Sequence, residues 1–95
     1  MMREYETTYI IDPSVSEKVV PEIIEKYAKY VNDSGGHIEN IKEWGLRKLA
    51  YEIDGKGEGY YITMRFHSEP EVARELRRQF RLADDVMRGI IVRYN

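Results

Sequence analysis

Gly45-Leu46-Arg47-Lys48-Leu49-Ala50-Tyr51 lies mid-chain, with Ile41 to Trp44 leading in and Tyr60-Tyr61 following a run of glycines. How this stretch is read decides the fold. Ile38, Ile41, Trp44, Leu46, Leu49, Tyr51 and Ile53 make His37 to Ile53 one long β-strand. Their spacing departs from a strict period of two, which predicts a bulge or bend, and Gly45 is the natural place for it. Asp54-Gly55-Lys56-Gly57-Glu58-Gly59 reads as a flexible hairpin loop. The chain then returns as a strand over Tyr60 to His67. Tyr60, Ile62, Met64 and Phe66 form its apolar face, and Tyr61, Thr63, Arg65 and His67 its polar face. Such clean alternation predicts that one face is covered and the other open.

Outward from this hairpin, Tyr5 to Asp12 also alternates, with Tyr5, Thr7, Tyr9 and Ile11 on one side and Glu4, Glu6, Thr8 and Ile10 on the other. Asp12-Pro13 ends that strand. A helix is expected from Ser14 or Ser16, either of which can cap it. Its buried stripe is Val20, Ile23, Ile24, Tyr27, Ala28 and Val31. With Ser16 as cap, Pro21 falls just past the first turn and predicts a tolerated kink or a loose first turn. Ser34-Gly35-Gly36 stops the helix. On the other side of the hairpin, Ser68-Glu69-Pro70-Glu71 reads as a capped helix start. Val72, Ala73, Leu76, Phe80 and Ala83 face inward, and Arg74, Arg77, Arg78 and Arg81 crowd the exposed side. Asp84-Asp85 turns the chain into a last strand over Val86 to Tyr94, whose register Gly89 leaves open.

The order is βαββαβ. We therefore expect residues 1–95 to form a single domain of the α+β class. The arrangement is a ferredoxin-like sandwich, a four-stranded antiparallel sheet with two helices on one face. Right-handed crossovers put the first and third strands in the middle and the second and fourth at the edges. The open face should carry Glu6, Thr8, Tyr61, Thr63 and Arg65.

Composition excludes several function classes. There is no cysteine, hence no disulfide framework and no thiolate metal site. No run of about 18 apolar residues offers a membrane span, and the first residues lack the apolar core of a signal peptide. A cytoplasmic protein is expected. Fifteen Lys and Arg against 17 Asp and Glu give a formal charge of −2, which argues against gripping nucleic acid by bulk charge. Local patches remain possible, since six arginines fall between Arg74 and Arg93.

No catalytic centre emerges. The acids at Asp54, Asp84 and Asp85 sit at turns, where Asp serves local hydrogen bonding. The glycine run joins two strands instead of leading into a helix, as a phosphate loop requires. His37 and His67 lie on different strands without a ligand pattern. We expect no enzyme, no metal, no cofactor and no small-molecule substrate. The third strand also lacks the aromatic pattern with which RNA-recognition motifs stack bases, and only Tyr61 presents a ring to the open face. Arg47-Lys48, beside Trp44 and Tyr51, is the cation pair that solvation alone explains least well. A rival reading is a regulatory module of the same fold that senses a small molecule through homodimerisation.

The run Glu43-Trp44-Gly45-Leu46-Arg47-Lys48-Leu49-Ala50-Tyr51 resembles the bacterial small-subunit ribosomal protein six family. Met2-Arg3-Glu4-Tyr5-Glu6, Gly59-Tyr60-Tyr61 and Asp84-Asp85-Val86-Met87-Arg88 follow in the family's order and spacing, so the likeness covers nearly the whole chain. Asp54 and Pro21 depart from the family pattern. The resemblance implies a ribosomal protein that pairs with small-subunit ribosomal protein eighteen as a heterodimer and binds the central domain of small-subunit rRNA. It also explains how an RNA-binding protein can be acidic on average, because the RNA site is shared with a more basic partner. On this reading the expected RNA contacts are Arg3, Arg47, Lys48, Lys56, Arg88 and Arg93. The expected partner contacts are Trp44, Tyr61 and Arg65.

Overall fold

A computed structural model gives the structure and describes residues 1–94. Its elements are β1 (Arg3–Ile11), α1 (Val20–Asp33), β2 (His37–Ile53), β3 (Lys56–Ser68), α2 (Pro70–Leu82) and β4 (Val86–Arg93). The four strands form one antiparallel sheet in the order β2-β3-β1-β4. This is the ferredoxin-like arrangement, with β1 and β3 central and β2 and β4 at the edges.

The core lies between the helices and one face of the sheet. Tyr5, Tyr9, Ile11, Ile62, Met64, Phe66 and Ile91 meet the apolar stripes of α1 and α2. Its centre is aromatic. The Tyr9 ring stacks on Phe80 at 4.8 Å, and Tyr27 stands edge-on to both, at 5.4 Å from Tyr9 and 4.8 Å from Phe80. Such pairs each add roughly 0.5–1.5 kcal/mol beyond the area they bury.

Three local readings are corrected. First, α1 begins at Val20, later than either serine predicts, and no side chain caps it. Both serines serve the preceding turns: Asp12 Oδ1 accepts from the Ser14 amide at 2.8 Å and its hydroxyl at 2.7 Å, while Ser16 O accepts from the Val19 amide. Pro21 therefore sits in the first helical turn, where a missing N–H costs nothing, and no kink is needed.

Second, Ser68 is the buried last residue of β3 and gives its hydroxyl to Glu69 O at 3.0 Å, so it does not cap α2. Glu69 holds the cap position, and Pro70 opens the helix as expected. Third, Asp54 to Gly59 is no flexible loop. Asp54 (φ 51°) and Gly55 (φ 78°) form a tight two-residue turn, and β3 already runs from Lys56. Positive φ at both central residues is what the right-handed strand twist demands of such a hairpin, and Asp-Gly supplies it.

The bend expected at Gly45 is present. Glu43 pairs with Ile62 and Gly45 with Tyr61, leaving Trp44 as the extra residue, and Gly45 has φ 80°. A second irregularity lies further along. Lys48 pairs with Glu58 and Ile53 with Lys56, so Leu49 to Glu52 stand opposite Gly57 alone and arch away from the ladder.

Candidate nucleic-acid and partner interface on the open sheet face

Strand parity sends Glu4, Glu6, Thr8 and Ile10 of β1 and Tyr61, Thr63, Arg65 and His67 of β3 to the face without helices. Pairing with β1 adds Arg88, Ile90 and Val92 from β4. The β4 side chains were invisible to pattern reading, because Gly89 interrupts the alternation. Ile90 is 56% exposed, and Val92 and Tyr94 are also open to solvent. An aliphatic and aromatic strip thus runs along the β4 edge of a face that also carries the polar Glu4, Glu6, Thr8, Thr63, Arg65 and His67. A polar-rimmed apolar strip of this kind marks a contact surface.

The arch of β2 builds a wall over this face. It brings Leu49, Ala50, Tyr51 and Ile53 above Thr8, Ile10, Tyr61 and Ile90, enclosing a hollow of about 220 Å³. Arg88 closes the far side and donates Nη1–H to the Tyr51 hydroxyl at 3.1 Å. Trp44, thrown outward by the bulge, lies beside Tyr61 and Thr63 around a second, shallower hollow. Its Nε1–H donates to Thr63 Oγ1 at 2.8 Å, and the Lys42 ammonium stands 3.8 Å from the ring centre. The indole is therefore fixed, yet it remains 41% exposed.

The cations expected to touch RNA divide into two groups. Arg47, Lys48, Lys56 and Arg88 lie toward the hairpin end of the sheet, while Arg3 and Arg93 lie at the opposite end, beside Ser68 and Tyr5 respectively. Arg3 and the Arg88 partner Ile10 are seven residues apart on β1, roughly 23 Å. The cations also differ in how far they are neutralised. Lys56 is held by Asp12 at 2.7 Å, and Arg65 by Glu6 at 2.8 Å with its guanidinium 4.8 Å above the Tyr94 ring. Lys56, with Ser14, in turn holds the Asp12 carboxyl down to about 2. Arg47 instead donates Nε–H to the Trp44 carbonyl at 2.9 Å, a neutral partner that orients the side chain, and it has no carboxylate partner among the described residues. Arg88 is oriented by the neutral Tyr51 hydroxyl in the same way. Such residues release counterions in full when they meet phosphate, whereas a carboxylate-paired cation must first lose its partner.

His37 and His67 face each other across β2 and β3 with ring centres 6.2 Å apart, and His67 Nε2 lies 2.8 Å from Glu39 Oε2. Sequence spacing concealed this juxtaposition. Among the described residues no cluster of three or more His, Asp or Glu is placed to hold a metal ion. No helix among the described residues is long and apolar enough to cross a membrane.

The Ribosomal protein S6 family model matches residues 4–93. Small ribosomal subunit protein bS6 of Caldanaerobacter subterraneus subsp. tengcongensis is 47% identical over 92 residues, covering 97% of each chain. The bS6 protein of Clostridium novyi is 47% identical over 91 residues, covering 96% of each. The crystal structure of 30S ribosomal protein S6 from Thermotoga maritima superposes with a TM-score of 0.92 at 29% identity, covering 99% of this chain and 89% of that one. With a family match over nearly its whole length and close relatives of equal extent, the chain belongs to the ribosomal protein S6 family of the small ribosomal subunit.

Proposed function

We infer that this protein is a non-enzymatic scaffold of the small ribosomal subunit, in the cytoplasm, that binds the central domain of small-subunit rRNA jointly with small-subunit ribosomal protein eighteen. The observation that carries this reading is the open sheet face. It combines an apolar hollow walled by Tyr51 and Tyr61, with Arg88 on its margin, and a neighbouring hollow beside Trp44 that Arg47 borders; neither cation has a carboxylate partner among the described residues. Large rings around an open apolar hollow suit a protein partner that would desolvate them on binding. Oriented guanidinium groups at the rim suit phosphate. Trp44 and Tyr61 are the proposed protein anchors, with Arg65 beside them. Arg47, Lys48 and Arg88 form the near RNA rim, and Lys56 joins it only by exchanging Asp12 for phosphate. Arg3 and Arg93 serve a separate contact at the other end of the sheet.

The test is binding to central-domain RNA with and without the partner protein over a salt series. Weak binding alone, much tighter binding with the partner, and loss of affinity at high salt are expected. Arg47→Ala should weaken the ternary complex about tenfold. Tight, sequence-specific binding without the partner contradicts the joint-binding reading.

A further inference from the structure

The arginines of α2 are not equivalent. Arg74 and Arg78 lie on the outer stripe and are paired with Glu71 at 3.6 Å and Glu75 at 3.1 Å. Arg77 and Arg81 are one turn apart on the flank that faces β4, so their side chains are neighbours. Arg77 donates Nη2–H to the Ile91 carbonyl at 3.1 Å, which pins its guanidinium across the edge of β4, and its other donors have no partner among the described residues. Neither Arg77 nor Arg81 has a carboxylate partner among the described residues. Between α2 and the start of β4 lies a groove of about 370 Å³, bounded by Arg77, Arg81 and Arg88 with Phe80, Met87 and Gly89, and no acid lines it.

We propose that this groove is a second phosphate-binding surface, in which Arg77 and Arg81 hold the sugar–phosphate backbone of the RNA that the open face meets, with Arg88 at the boundary between the two. The inference rests on the RNA reading above. Three observations favour a nucleic-acid backbone over a protein partner. The groove offers no exposed ring, since Phe80 is buried, so it lacks the apolar anchor on which protein contacts depend. Its donors are the Arg77 and Arg81 guanidinium groups, whose planar forks match phosphate oxygens. Arg88 borders both this groove and the open-face hollow, so one strand of backbone can pass from one to the other around the edge of β4. The C-terminal end of α2 opposes an anion with about half an elementary charge, against two full charges from Arg77 and Arg81.

The decisive substitution is Arg81→Ala. The Arg81 side chain makes no hydrogen bond or ion pair among the described residues, so its removal leaves the fold intact. Binding of the protein–partner pair to central-domain RNA would be measured across a salt series for wild type, Arg81→Ala, Arg81→Glu and Arg78→Ala. Arg81→Ala should weaken binding roughly fivefold and make the salt slope shallower by about 1. Arg81→Glu should weaken it further, and Arg78→Ala, which removes an already paired charge, should leave the slope unchanged. Wild-type binding with an unaltered affinity and slope in Arg81→Ala overturns this proposal and leaves the open-face reading standing. Weaker association of Arg81→Ala with the partner protein alone would make the groove a protein contact, which also overturns it. Absence of RNA binding by wild type under every condition overturns the RNA reading and this proposal together.

Discussion

The Arg88 guanidinium donates to the Tyr51 hydroxyl at 3.1 Å, tying the arch of one edge strand to the opposite edge strand across the open face. The bond is solvent-exposed, so its contribution to global stability is small. Its effect is local order. Tyr51→Phe should leave stability within about 0.5 kcal/mol of wild type while speeding amide exchange at Leu49 to Glu52. Hydrogen exchange followed by NMR measures both. Unchanged exchange there would show that packing of the ring alone holds the arch.

Two glycines should respond to alanine for different reasons. A Cβ at Gly89 would lie 2.5 Å from Phe80 Cδ2 and 2.9 Å from Phe80 Cβ, so core aromatic packing has to shift. Gly89→Ala should cost about 1–3 kcal/mol in urea unfolding. A Cβ at Gly45 meets nothing within 4 Å, but the backbone there has φ 80°. Gly45→Ala should cost about 1–2 kcal/mol through backbone strain, with the core unperturbed in the aromatic NMR signals.

Tyr9 and Tyr27 carry buried hydroxyls with no hydrogen-bond partner among the described residues. Tyr9→Phe keeps the stack on Phe80 and removes a desolvated hydroxyl. It should be neutral or stabilising by up to about 1 kcal/mol in thermal or urea unfolding. A loss of 1 kcal/mol or more would mean that the hydroxyl is satisfied in solution. Burial also raises both phenols, Tyr27 to about 12 and Tyr9 further still. Above the ordinary tyrosine value of 10.0 the unfolded chain ionises first. Stability should therefore be full below pH 10 and fall as pH rises beyond it. Tyr9→Phe should blunt that fall.

Asp12 links the end of β1 to the start of β3 through Lys56, and its carboxyl is held at about 2 against an ordinary 3.8. The folded state thus binds this proton less readily than the unfolded chain. The resulting stability is present above the ordinary value and is lost as pH falls through 3.8 toward 2. Allowing for the exposure of Lys56, it amounts to roughly 1 kcal/mol. Lys56→Met should move the Asp12 titration upward in NMR and soften the acid-unfolding transition. An unmoved titration would assign the depression to Ser14.

Sheet order, helix faces and the bulge at Gly45 were all legible, because each is written in side-chain periodicity or in a glycine at a break in it. What stayed hidden depends on contacts between distant segments. The exposed strip of Ile90 and Val92 was hidden because Gly89 contributes no side chain to the alternation that would set the register of β4. The arch at Leu49 to Glu52 read as ordinary strand, since its residues keep the composition of one while opposing a single glycine. Among the cations, sequence could not separate Lys56 from Arg47. Lys56 meets a carboxylate 44 residues away, and Arg47 meets a carbonyl only three residues before it. Ser14, Ser16 and Ser68 fit the composition of helix caps, but the backbone around them was already committed to turns or to a strand.

The strand order β2-β3-β1-β4 has a consequence for how the molecule is made. β1 is synthesised first, yet both of its neighbours are built after residue 55, and the pairing of β1 with β4 cannot close until the last strand has been produced. Only the β2–β3 hairpin can form from segments close in sequence. During translation the first strand therefore waits with both edges unpaired, and it is the segment most exposed to misassociation. Glu4 and Glu6, charges placed next to the apolar Tyr5, Tyr9, Ile10 and Ile11 of the same strand, are well suited to keep it soluble through that interval.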